Sequence, residues 1–135
     1  MNKYVLDASA LLALLNNEPG AKRVRDILSE SVIGAVNACE VVGKLTSAGM
    51  TLDDARSSIE LTSVEILSFD EKAAFTAGGL IVETKKLGLS LGDRACLALG
   101  LMLNQTVVTA EQSWRKLKLP VTVEVIREGA AALPE

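Results

Sequence analysis

Hydrophobic and polar positions alternate in blocks along the chain, and the blocks have two different periods. Tyr4-Val5-Leu6 is an unbroken apolar run, as in a strand buried on both faces. Ala8 to Leu15 reads as a helix, and Pro19-Gly20 punctuates the chain after it. Ala21 to Ser29 forms a second helix with Val24, Ile27 and Leu28 on one side. Val32 to Val36 is β-branched and strand-like, and Ala38 to Ala48 is helical, carrying Val41, Val42 and Leu45. Thr51 caps the next helix, with Asp54 three residues on as its capping-box partner. Val64 to Leu67 predicts a strand. Phe69 and Asp70 then supply a hydrophobic staple and an N-cap for a long helix to about Leu87. Gly78-Gly79 inside that helix costs about 1 kcal/mol per glycine relative to alanine, which implies close packing on a neighbour or a break. Gly88 ends the helix, and Ser90 opens another to about Asn104. Thr106 to Thr109 is strand-like, a short turn or helix surrounds Trp114, and Val121 to Ile126 is the last strand. Glu128 to Glu135 is expected to fray as a tail.

Short apolar strands alternating with helices define an α/β fold around a mainly parallel sheet, with helices on both faces and right-handed crossovers. At 135 residues the chain is one domain. Only 3% of residues are aromatic, so Leu, Val, Ile and Ala must fill the core. No stretch has the length of a membrane span; the longest apolar run near the end is Ala95 to Leu103. Ala8 to Leu15 follows Lys3 but has Asp7 at its entrance and no small-residue cleavage site, so it is no signal peptide. A cytoplasmic protein is expected. Cys39 and Cys96 form no Cys-x-x-Cys pair and read as small buried hydrophobes in a reducing compartment.

Charge and composition narrow the chemistry. Fourteen basic and seventeen acidic residues give a net charge of −3, against coating nucleic acid through bulk positive charge. A local basic rim stays compatible with that sum. There is no histidine. Ser-His-Asp and Cys-His catalysis, His-ligated zinc and His-based ribonuclease chemistry are therefore excluded.

Ligands of parallel sheets bind beyond the carboxyl ends of the strands. Asp7 ends the first strand, and Glu40 lies just past the second. Glu111 follows the strand ending at Thr109, and Asp93 opens the helix leading into that strand. Four acids from distant parts of the chain fall on one edge of the sheet. Each also has a local reading. Asp7 suits an N-cap, while Asn37 with Glu40 and Ser90 with Asp93 have capping-box spacing. Glu111 suits the first turn of the segment around Trp114. Local capping gives no reason for all four to converge. Convergent carboxylates repel, and a divalent cation removes that penalty. Oxygen ligands without His or Cys favour Mg²⁺ or Mn²⁺, and the chemistry best suited to such a site is phosphodiester hydrolysis.

Four segments resemble the PIN-domain ribonucleases, particularly the VapC-type toxins of prokaryotic toxin–antitoxin pairs. They are Tyr4 to Leu15, Asn37-Ala38-Cys39-Glu40-Val41, Leu89 to Leu99, and Val108-Thr109-Ala110-Glu111-Gln112-Ser113-Trp114. The resemblance spans nearly the whole chain in the family's order. It implies a single PIN-like domain over residues 1–135, a three-layer α/β/α sandwich around a five-stranded, mainly parallel sheet. It also implies a Mg²⁺- or Mn²⁺-dependent endoribonuclease with Asp7, Glu40, Asp93 and Glu111 as metal-binding and catalytic residues. Ser9, Asn37 and Thr109 would support the acids by hydrogen bonding. A homodimer and a small antitoxin partner complete what the resemblance implies. The family most often has Asp where this chain has Glu111. That longer arm leaves open direct metal contact, contact through water, or a side chain swung away, and with the last a weakly active or inactive binding module.

Substrate contact requires positive charge beside the acids. Lys44, one helical turn beyond Glu40, and Arg94, adjoining Asp93, are the candidates for binding phosphate of an RNA substrate. Four aromatic residues are too few for a base-stacking platform. A receiver-type phosphoacceptor domain is a further alternative. Asp70 would then be its acceptor, but Arg127 and no Lys follows the last strand.

Overall fold

The computed structural model of the chain describes residues 2–127. The expected tail, Glu128 to Glu135, lies outside the described residues. The strands are β1 (Tyr4–Leu6), β2 (Ser31–Gly34), β3 (Glu65–Leu67), β4 (Thr106–Thr109) and β5 (Val123–Val125). They form one sheet in the order β3-β2-β1-β4-β5, and every neighbouring pair is parallel. The helices are α1 (Ala8–Leu15), α2 (Ala21–Ile27), α3 (Ala35–Ser47), α4 (Leu52–Glu60), α5 (Glu71–Gly79), α6 (Ile81–Thr84) and α7 (Leu91–Leu103), joined by short 3₁₀ turns.

Strand side chains alternate between two cores. Leu6, Ile33 and Val108 face α1 to α4, where they meet Leu11, Val24, Val41 and Ile59. Val5, Val32 and Val107 face α5 and α7, where they meet Ala77, Leu80, Leu97 and Trp114. Three layers result, as the alternation of blocks predicts. The chain runs outward from β1 through β2 to β3, then crosses back to place β4 on the other side of β1. The strand order reverses beside β1, and the connections leaving β1 and β4 part there to open a crevice.

Several boundaries differ from the sequence reading. β2 stops at Gly34, two residues before Val36, and α3 starts at Ala35 with Gly34 as N-cap. Asn37 is therefore a buried residue of the first helical turn and no cap. The helix expected to run to Leu87 breaks after Gly79 into α5, α6 and a 3₁₀ turn. Among the described residues no atom outside the helix backbone lies within 4 Å of a Cβ built on Gly78 or Gly79, so close packing on that part of the molecule is not their role. Gly88 ends the segment in the left-handed region at φ 65°, which favours glycine. Thr51, Asp70 and Ser90 cap α4, α5 and α7 as expected. Both cysteines are free. Cys96 is buried, whereas Cys39 is exposed, against expectation, because it projects from α3 one position past the inward-facing Ala38. Among the described residues no helix is long and apolar enough to cross a membrane.

Candidate active site

Asp7, Glu40, Asp93 and Glu111 line a single cavity of about 160 Å³ at the carboxyl edge of the sheet, together with Ser9, Asn37 and Lys44. α1, α3, α7 and the turn after β4 each contribute one acid.

Asp7 is the most enclosed, at 4% exposure. It is the N-cap of α1, and its Oδ1 accepts from the Ala10 amide at 2.8 Å and from Ser9 Oγ at 2.7 Å. Thr109 Oγ1 donates to its other oxygen at 2.6 Å. The same two hydroxyls bind the chain leaving β4. Ser9 Oγ accepts from the Ala110 amide, and Thr109 Oγ1 from the Glu111 amide. Ser9 and Thr109 thus tie the start of α1 to the end of β4, and so fix Asp7 relative to Glu111. Burial pushes Asp7 up from 3.8 to about 6, against those three hydrogen bonds, and the charge of Asp93 adds to the rise.

Asn37 performs the corresponding task across α3 and α7. Its Nδ2 donates to Glu40 Oε1 and to the Gly92 carbonyl, both at 3.0 Å. Glu40 lies against Gly92 itself: a Cβ built there would meet its carboxylate at 2.2 to 2.5 Å. Partial burial raises the pKa of Glu40, the hydrogen bond from Asn37 opposes the rise, and Asp93 adds to it. Lys44, one turn further along α3, lowers it.

Asp93 completes the capping box of α7. Its Oδ2 accepts from the Ser90 amide at 2.9 Å, while its own amide donates to Ser90 Oγ. Oδ1 makes no hydrogen bond among the described residues. Glu111 is exposed, and its carboxylate caps nothing. It also borders a neighbouring cleft of about 370 Å³, lined as well by Glu18, Lys44 and Arg127. Beneath the cavity, burial and the charges of Asp7, Asp93 and Glu40 push the Cys96 thiol up, so it stays protonated and inert.

The donors fit a hard divalent cation. They are oxygens of carboxylates, and the most buried one, raised to about 6, would be held in its ionised form more firmly by a bound cation. They are not gathered into a closed cage: among the described residues no three acidic or thiol groups form a ready metal cluster. Mg²⁺ commonly uses one or two carboxylates and keeps several waters, so the open arrangement is consistent with that ion.

The structure brings together all four acids, their three supporting residues and Lys44. It does not bring in Arg94. That guanidinium donates to the Ala77 carbonyl of α5 at 3.0 Å, and Arg94 is no part of the cavity lining. Asp70 caps α5 on the outermost side of the sheet and is also outside the cavity, which removes the receiver-type arrangement. Two residues were missed. Gly92 gives no chemical signal, because its contribution is the space that Glu40 fills. Arg127 follows β5 at the same sheet edge, a strand-end position like those of Asp7 and Glu111. It borders the neighbouring cleft, paired to Glu18 at 2.6 Å.

Comparison with known proteins agrees with this architecture. The fold is similar to the DNA-bound VapBC structure from Salmonella typhimurium, with a TM-score of 0.72, 18% identity, and coverage of 94% of this chain and 100% of the other. It is similar to VapBC2 from Rickettsia felis bound to a promoter DNA fragment, with a TM-score of 0.71, 18% identity, and coverage of 90% and 97%. VapBC-1 from nontypeable Haemophilus influenzae aligns with a TM-score of 0.64, 22% identity, and coverage of 90% and 96%. No curated protein matches the sequence. The PIN domain description matches residues 4–119, a span that includes four of the five strands, all seven helices and all four cavity acids. The chain therefore belongs to the PIN domain family.

Proposed function

We propose that this chain is a metal-dependent endoribonuclease and the toxin of a VapBC-type toxin–antitoxin pair, acting in the cytoplasm as a homodimer. One observation carries the nuclease reading: four acids from four distant segments line one cavity at the point where the strand order reverses. The similarity in fold to VapBC complexes supports the toxin reading and the small antitoxin partner.

Asp7, Asp93, Glu40 and Glu111 would hold Mg²⁺ or Mn²⁺, with Asp7 and Asp93 the principal pair. When bound, the cation supplies charge neutralisation, polarisation of the phosphoryl oxygen and a lowered pKa for the attacking water. The chain's own residues do the positioning. Ser9 and Thr109 fix both oxygens of Asp7, and Asn37 holds Glu40 on Gly92. Lys44, the one basic side chain lining the acid cavity among the described residues, is placed to attract a backbone phosphate of the RNA. Asp7, at about 6, favours ionisation above that pH, so cleavage rises through the mildly acidic range.

The test is cleavage of total cellular RNA by the purified protein with Mn²⁺, with Mg²⁺ and with EDTA, beside Asp93→Asn. Discrete metal-dependent fragments that vanish with Asp93→Asn are expected. Full cleavage by Asp93→Asn overturns the site. No cleavage by a folded, antitoxin-free protein makes it a binding module, the reading that the exposed Glu111 favours.

A further inference from the structure

The cleft beyond Glu111 shares a wall with the acid cavity. Ser9, Leu12, Lys44 and Glu111 line both, while Glu18 and Arg127 line only the cleft. At about 370 Å³ against about 160 Å³ it is the larger space. Among the described residues lining it, Leu12 is the only aliphatic one and none is aromatic. A base has nothing to stack on there, whereas two cationic side chains border the space.

Arg127 is aimed at this cleft by bonds that do not depend on its ion pair. The Ile126 amide donates to the Thr109 carbonyl at 2.8 Å. The Arg127 carbonyl accepts from Gln112 Nε2, and from Arg115 Nη2 at 3.2 Å. Ile126 packs so closely on Gly20 that a Cβ there would meet it at 2.7 Å. The chain leaving β5 is thus fastened to the turn after β4 and to the α1–α2 turn before the Arg127 side chain is counted. Arg127 Nε then donates to the Pro19 carbonyl at 3.0 Å and fixes the guanidinium plane. Nη2 donates to Glu18 Oε1 at 2.6 Å, and Nη1 makes no hydrogen bond among the described residues. The two paired side chains keep 30% and 42% exposure, so the pair adds little to stability. A guanidinium held by a backbone carbonyl and covered by an exchangeable carboxylate is a preformed anion site. Phosphate presents the same fork of oxygens as that carboxylate.

We propose that this cleft takes a phosphate of the RNA strand next to the bond cut in the acid cavity. Arg127 binds it, Lys44 stands on the wall between the two spaces, and Glu18 is the internal competitor that the phosphate displaces. Glu18 swings into solvent while Arg127 stays in place on Pro19. This rests on the RNA-substrate reading above.

The experiment is fluorescence anisotropy of a labelled, mixed-sequence single-stranded RNA of about twenty nucleotides, bound by the full chain with Mg²⁺ across a salt series. Asp93→Asn is the background throughout, so that the probe is not cut, and circular dichroism checks that each variant folds. Arg127→Gln is expected to weaken binding about tenfold and to lower the salt slope by about 0.7, the value for one phosphate on a single strand. Glu18→Gln is expected to tighten binding about threefold, and the double variant to bind like Arg127→Gln alone. Both single variants break the same ion pair, so a merely structural latch would make both bind more weakly. Weaker binding by Glu18→Gln therefore overturns the proposal. A probe whose binding falls with Lys44→Gln but not with Arg127→Gln overturns this subsite alone. A probe that does not bind even at low salt overturns the RNA-substrate reading and the subsite with it. Cleavage of total RNA by the otherwise unaltered chain, scored separately, decides the nuclease reading.

Discussion

Replacing Asp7 by Asn is expected to stabilise the metal-free protein above neutral pH while removing the proposed nuclease activity. Burial holds the Asp7 carboxyl at about 6 against an ordinary 3.8. The folded state therefore binds this proton more tightly than the unfolded chain does. The stabilisation from that proton is complete below pH 3.8 and is lost as pH rises through about 6. Well above that, ionised Asp7 costs the apo protein at most about 3 kcal/mol. Asn fits the same hydrogen bonds without the charge. Its Oδ1 keeps Ser9 Oγ and the Ala10 amide. Its Nδ2 donates to Thr109, whose hydroxyl proton turns toward Ser9 Oγ, 3.3 Å away. Those hydrogen bonds are already contained in the value of about 6, and Asn matches the protonated acid, so the gain at pH 8 approaches the full cost of about 3 kcal/mol. At pH 4 the gain vanishes or reverses slightly. Urea unfolding in EDTA at pH 4, 6 and 8 measures this directly. Added Mn²⁺ should then raise the wild-type midpoint and leave Asp7→Asn where it was. A variant less stable than wild type at pH 8 in EDTA, or a gain independent of pH, would refute the burial argument.

Gly92→Ala should leave the fold nearly intact, because its new Cβ meets the flexible end of Glu40, but displace that carboxylate. Mn²⁺ affinity by calorimetry is expected to fall about tenfold, with little change in melting temperature. Thr109→Val removes the hydroxyl that donates to Asp7 and accepts from the Glu111 amide, costing about 1–3 kcal/mol. Asp7 then rises further, so the acidic limb of the cleavage–pH profile moves to higher pH; an unmoved limb would show that Asp7 does not set it. Gly100→Ala lies away from the site, but its Cβ would meet Val107 Cγ2 at 2.3 Å in a packed core. About 1–3 kcal/mol of destabilisation, read by urea unfolding, with unchanged metal affinity is expected.

The layers and the four acids were legible in the sequence because period and strand-end position are enough to place them. Two departures from local pattern share a cause, the direction of a side chain on its helix. Arg94 adjoins Asp93, yet successive helical residues do not face the same way, and its guanidinium turns to α5. Cys39 adjoins buried Ala38 and is exposed for the same reason. The β2–α3 boundary failed differently. The β-branched run to Val36 favoured a longer strand, but Gly34 begins the helix, and packing overrides the propensity of Val36. That shift gives Asn37 its use. From the first turn of α3 its amide reaches both Glu40 and a carbonyl 55 residues away, which a cap at the strand end would not do.

Capping and a place in the cavity are separate readings of the acids, and for two of them the structure shows both. Asp7 caps α1, Asp93 completes the capping box of α7, and both line the cavity. In a parallel sheet every helix that follows a strand begins at the carboxyl edge, so an acid capping such a helix already faces the side where ligands bind. Capping therefore does not argue against a site; it immobilises the carboxylate at no cost to the ligand. Distance from the reversal in strand order is what separates the two outcomes. Asp70 also caps a helix after a strand, with the same bond to the third amide. But β3 is the outermost strand, and Asp70 lies outside the cavity that the four acids line. Asp7 follows the strand at which the order reverses, where neighbouring connections part and a cavity opens. Local sequence supplies the same cap in both places, and the topology of the sheet turns only one of them into part of a site.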